Sequence, residues 1–277
     1  MRIGLKKIIP LFVVSTVCAV LLRVLQITYI TETKTGFFIK EFETLGNIIT
    51  IGICLIAAVC VIYAALYKNR EIYPVTVTKP FGIIHFFLAA AIIYESLFSP
   101  VSHAIHTWQI LLQIIFGLLS ALVFIYRGYN AFTGGKTPPI TMVAHIVFWL
   151  IRVIIVFSSY ISVSTIAENV FEMAAICTAL VFFLNAGAYE NEIDPERIKK
   201  RLFPSAICAA IMGAVYSVAQ LVVIISGKSS ILHTQNATLI TNAVLVIYVL
   251  FYTVLMFKKP KEELPTETAE QLDMFED

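Results

Sequence analysis

Two arginines and three glutamates interrupt or border runs of apolar residues, and they are the side chains of this chain best suited to chemistry. Arg23 lies in "CAVLLRVLQITYI" and Arg152 in "VAHIVFWLIRVIIVFSSY". Glu95 closes "FFLAAAIIYESLF", and Glu43 and Glu172 stand near the starts of two further apolar runs. A guanidinium is a planar fork of donors that grips a carboxylate or phosphate through parallel hydrogen bonds. Carboxylates beside it can pair with it or take a proton. An arginine at a bilayer centre costs roughly 3 kcal/mol on insertion scales, so it needs a partner, a cavity or a function. Both readings fit these residue types: a site for an anion, or struts between helices.

Neutral polar residues repeat at helical spacing around them. His106, Gln109 and Gln113 follow an i, i+3, i+7 pattern and share a face with Gly117 and Ser120. Gly213, Ser217 and Gln220 form a shorter stripe, and Thr238 with Asn242 another. The candidate substrate-binding set is therefore Arg23, Arg152, Glu95, Glu172, Gln109, Gln113 and Gln220. His85 and His145 are the main ionisable residues of the opposite, drier half.

Other chemistries find less support. His103 and His106 with Glu95, Glu168 and Glu172 offer nitrogen and oxygen donors, but their spacing matches no metal signature. "GGKTPP" ends like a phosphate-binding loop, yet Asn130 stands where the first glycine belongs, and no strand precedes it. A nucleophile elbow, an HExxH pair and an aspartate within the apolar runs are all missing. Cys18, Cys54, Cys60, Cys177 and Cys208 lie in apolar runs without ligand spacing and read as small hydrophobes. Neither catalytic residues nor a metal or cofactor is expected.

The elements that must position these residues are membrane helices. Of 277 residues, 59% are hydrophobic and 14% charged, and the mean hydropathy of +0.87 exceeds that of an ordinary globular domain. A net charge of +2 without a basic, aromatic-laced stripe gives no support for nucleic-acid binding. A helix of about 20 apolar residues crosses the hydrocarbon core. Eight runs qualify, at 8–30, 45–67, 80–98, 104–126, 140–161, 166–186, 203–226 and 236–257. The fold class is thus all-α, a polytopic bundle of eight transmembrane helices. The basic start followed by an apolar run mimics a signal peptide, but no small-residue cleavage site follows, so an uncleaved first span is expected.

Basic residues orient the spans, because cytoplasmic loops retain them. Fifteen Lys and Arg fall in the N-terminus, the 68–79, 127–139 and 187–202 loops and the tail, against three in the alternate loops. Both termini are therefore expected in the cytoplasm. Asp194 before Pro195 signals a helix start, and 189–203 reads as a short helix at the cytoplasmic surface; its basic residues could hold anionic lipid headgroups, but topology alone requires them and is the favoured reading.

Self-comparison suggests a tandem duplication. "LLRV" at 21–24 matches "LIRV" at 150–153, "FET" at 42–44 matches "FEM" at 171–173, "AALYKN" at 64–69 matches "AGAYEN" at 186–191, and "IHT" at 105–107 matches "LHT" at 232–234. Their collinear order divides the chain into a first four-helix repeat over 1–127, a second over 128–257 and an acidic disordered tail over 258–277, the repeats being parallel. Arg152 then corresponds to Arg23 and Glu172 to Glu43.

Arg23 with Gln26 three residues later, followed by "TETKTGFF", resembles uncharacterised multi-span membrane proteins of anaerobic Gram-positive bacteria. The likeness covers some 40 residues and the overall plan. It implies a bacterial plasma membrane and brings no activity. The expected function is transport of a small anionic solute, at a site in the outer leaflet between the repeats, with Glu95 and Glu172 as protonatable coupling groups. The alternative is a non-catalytic membrane sensor or assembly subunit that meets a protein partner through its loops and tail. The lipid bilayer is a partner in both.

Overall fold

Within an apolar run, a helix satisfies every backbone hydrogen bond inside one segment, which is the requirement lipid imposes. The computed structural model obeys this rule throughout the residues it describes, 5–32, 36–67, 72, 73, 75, 78–98, 107–135, 137–160, 167–227 and 236–258. These are helical apart from turns and one isolated bridge between Thr31 and Phe38. Among them, eight helices are long and apolar enough to cross a membrane.

Helix α1 spans Leu5–Leu25 and continues as a π-helical turn, Gln26–Ile30. It is followed by α2 (Glu43–Leu66), α3 (Lys79–Phe98), α4 (Thr107–Thr133), α5 (Met142–Tyr160) and α6 (Ala167–Glu190). Helix α7 runs over Pro195–Gly213, through a π-helical stretch Ala214–Val218, to Ala219–Ile225, and α8 covers Asn236–Leu255. His103, His106, the "LHT" match and the tail beyond Lys258 lie outside the described residues.

Helices α3 to α8 close a ring: each packs on the next, and α8 packs back on α3. Helices α1 and α2 form a hairpin that leans on α7 from outside. Burial follows this plan. Only 28% and 22% of the α1 and α2 windows are buried against 72% for α7, which therefore sits between hairpin and ring. Both expected repeats contribute to the ring, α3 and α4 from the first and α5 to α8 from the second.

Small residues set the tightest packing. Gly82 of α3 and Gly128 of α4 face each other, and a Cβ on either would lie 3.1 Å from the other's carbonyl oxygen. Without a hydrophobic drive between helices in lipid, such close backbone approach is a main source of association. Inside the ring, Phe81, Phe124, Phe148, Trp149, Phe182, Phe183, Tyr248 and Tyr252 are buried as one aromatic core.

Three boundaries differ from the expectation, each for a local reason. Helix α4 continues seven residues past 126, because Arg127 finds a carboxylate partner and need not leave the bundle. Helix α6 extends to Glu190 for the same reason. The expected surface helix is not separate. It starts at Pro195, directly after the left-handed Asp194, but runs on past Pro204 into α7.

Candidate functional site

The ring axis is lined by stripes from α3, α4, α5 and α8. On α5, His145, Trp149, Arg152 and Val156 recur every three or four residues and are all buried, so a single face carries an imidazole, an indole and a guanidinium inward. Facing stripes are His85, Ile92 and Glu95 on α3, and Gln109, Gln113, Ser120, Phe124 and Arg127 on α4. From α8 come Thr238, Asn242, Tyr248 and Tyr252. Polar groups gather in two layers, an outer one around Arg152 and an inner one interleaved with the aromatic core. The end that the basic-residue count places outside is called the outer end.

In the outer layer, Arg152 Nη2 lies 2.8 Å from Glu95 Oε1, and their side chains are 3% and 2% exposed. The guanidinium also lies over the Trp149 ring, 4.4 Å from its centroid, and 5.8 Å from that of Phe148. Two aromatic faces thus help to hold the cation in a desolvated place. Its Nη1 is buried and makes no hydrogen bond among the described residues. Around the pair opens a cleft of about 10 Å³, lined by Glu95, Gln113, Arg152, Ile155, Val156, Glu172 and Thr238. That is room for about one water molecule.

Arg23 sits elsewhere. Its Nη1 donates to Gln26 Oε1 at 2.5 Å, and Gln26 Nε2 in turn donates to the Gly46 carbonyl at 2.7 Å and to Thr50 Oγ1 at 2.8 Å. The guanidinium lies 4.5 Å from the centroid of Phe171, the residue before Glu172. Arg23 therefore ties α1 to α2 and packs against the α6 wall whose next residue lines the cleft. Gln109 and Gln220 are buried at the same end, on α4 and α7, but neither lines the cleft. Of the seven predicted residues, the cleft brings together Glu95, Gln113, Arg152 and Glu172.

The inner layer is more polar than the sequence reading allowed. Arg127 pairs with Glu190 through Nη1 and Nη2, bridging α4 to the end of α6, and its Nε donates to Thr141 Oγ1 at 3.4 Å. The Tyr248 and Tyr252 hydroxyls are buried near this pair, that of Tyr248 beside the Arg127 guanidinium, and neither donates a hydrogen bond among the described residues. His145 Nδ1 and Ser120 Oγ are 2.7 Å apart. His85 Nδ1 donates to the Phe81 carbonyl at 2.7 Å, so its Nε2 is left as an acceptor. An unpaired buried polar group costs about 1–3 kcal/mol, and phenylalanine would fill the tyrosine positions without that cost.

Arg127 and Glu190 were placed in loops by the sequence reading, and the tyrosines were not singled out. A signal for Arg127 existed: it continues the α4 stripe, seven residues after Ser120 and fourteen after Gln113. For the tyrosines there was none, since buried aromatic residues are ordinary in such helices.

Among the described residues, no group of three His, Cys, Asp or Glu side chains is placed to hold a metal ion. His103 and His106 lie outside those residues, as does the side chain of Glu168. Comparisons with family models, with curated proteins and with solved structures find no match for the chain.

Proposed function

We propose that the chain is a transporter or permease-like protein of the bacterial plasma membrane, moving a small anionic solute through the axis of the helical ring. The observation that carries this reading is the buried Nη1 of Arg152, a cationic donor without a hydrogen bond, at the edge of a cleft shared with Glu172, Gln113 and Thr238. A solute carboxylate would bind Arg152 in place of Glu95. Both termini lie in the cytoplasm in this reading, and the two four-helix repeats are a tandem duplication.

The test is a thermal-shift screen of the detergent-purified chain against carboxylates, phosphates, lipid headgroups and divalent metals, with Arg152→Gln in parallel. A dose-dependent stabilisation by one anion class, lost in a folded Arg152→Gln chain, supports the reading and directs uptake assays. No stabilisation by any anion, with Arg152→Gln merely melting earlier, makes the arginine a strut.

One observation favours a second reading, a non-catalytic membrane sensor or assembly subunit. The cleft holds about one water, and Glu95 already occupies Arg152. On that reading Arg23 and Arg152 matter for stability alone, and deletion of residues 262–277 abolishes function.

A further inference from the structure

The inner layer repeats the chemistry of the outer one with different accessories. Arg127 is held by a carboxylate, as Arg152 is, but near it stand the two buried hydroxyls of Tyr248 and Tyr252, neither of which donates a hydrogen bond among the described residues. A guanidinium with two phenolic donors is a donor set for a carboxylate or phosphate oxygen. Glu190 at present supplies that carboxylate.

The two members of the pair are not equally anchored. Arg127 is 5% exposed in its side chain and also holds Thr141, whereas the Glu190 side chain is 19% exposed. Glu190 is the last residue of α6, where the carbonyl end of the helix repels a negative charge. The turn beyond it is tight, with Glu192 and Asp194 both at positive φ. If the pair opens, the glutamate leaves and the arginine stays.

We propose that Arg127, Tyr248 and Tyr252 form a second anion subsite at the inner end of the ring, occupied by the Glu190 carboxylate until a solute carboxylate or inorganic phosphate displaces it. The subsite rests on the anion-transport reading and completes it: the solute is handed from Arg152 to Arg127 along one axis. Glu190 is then an internal mimic of the solute.

Formate is a suitable probe, being the smallest carboxylate, and the Arg152→Gln background removes the outer site from the measurement. In that background, Glu190→Gln should lower the melting temperature. Formate should restore it further than it raises that of Arg152→Gln alone, with chloride at equal ionic strength as control. Adding Tyr248→Phe and Tyr252→Phe should abolish the extra response. The subsite is overturned if Glu190→Gln adds nothing to the formate response, or if the extra response survives loss of both hydroxyls.

Should the Glu190→Gln chain not fold, line broadening of carbon-13 formate by the Arg152→Gln chain replaces it. Broadening that disappears with the two Tyr→Phe changes supports the subsite, and its absence from the start overturns it. The outer reading fails separately, when Arg152→Gln leaves the anion response of the native chain unchanged.

Discussion

The outer and inner polar layers are each built on one arginine and one glutamate, and their differences are instructive. Outside, Arg152 stands near the middle of α5, sandwiched by Trp149 and facing a small cleft with a second carboxylate, Glu172. Inside, Arg127 stands two turns from the end of α4, and its partner Glu190 is the most exposed of the four groups. Glu95 and Glu190 share one property: each lies in the last turn of its helix, on the end whose dipole disfavours it. Each carboxylate is thus kept in place mainly by its arginine. The outer layer surrounds its cation with aromatic faces and amides, whereas the inner layer surrounds its own with hydroxyls and imidazoles. On the anion-transport reading, the first arrangement holds a charge firmly and the second offers donors to an arriving anion.

The largest expected effect distinguishes the pairs by how they respond to losing one partner. Arg127→Leu strands Glu190, and Glu190→Leu strands a buried guanidinium. The second should be worse, at about 3–5 kcal/mol, because a glutamate at the rim can turn to water and a buried arginine cannot. Equal losses in unfolding titrations would remove the claimed asymmetry. Glu95→Gln should cost less, about 1–3 kcal/mol, since the amide keeps an acceptor on Arg152. A loss as large as that of Glu190→Leu would mean the cleft gives Arg152 no relief.

Next in size is the α3–α4 contact that holds Glu95 and Arg127 at opposite ends of one helix pair. Gly82→Val should cost about 1–3 kcal/mol by overpacking against Ala131 and the Gly128 carbonyl. If both layers are levered apart together, it should weaken anion binding at each. The smallest effect is Trp149→Phe, which keeps an aromatic ring under Arg152 but a poorer one. About 0.5–1 kcal/mol is expected, seen as a slight drop in melting temperature, with no change in the formate response assigned to Arg127.

Much of the outer layer was legible in the sequence. Arg152, Glu95 and Gln113 stand out because a charge or amide in an apolar run is improbable without a role, and helical periodicity aligns them. The eight helices were legible for the same reason, hydropathy being the dominant constraint on a membrane chain. Arg127 and Glu190 were lost to that same rule. A charge near the end of an apolar run reads as the start of a loop, and only its partner on another helix shows that the helix continues. The pairing of Arg23 with Arg152 by internal similarity did not bring them into one cleft, because α1 packs outside the ring. Sequence similarity aligns helices but not their neighbours.

Helix α7 has a consequence for how the ring can move. Its 31 residues from Pro195 to Ile225 amount to about 46 Å of helix, well beyond the roughly 30 Å of a hydrocarbon core. The surplus is at the Pro195 end, where Arg197, Lys199, Lys200 and Arg201 project around a single turn. In a bilayer these cations sit at phosphate level and oppose any sliding of α7 along the membrane normal. The helix is then a mast stepped in the headgroups. Rotation and tilt remain open to it and a piston stroke does not, so on the transport reading the helices around it open the ring by swinging sideways.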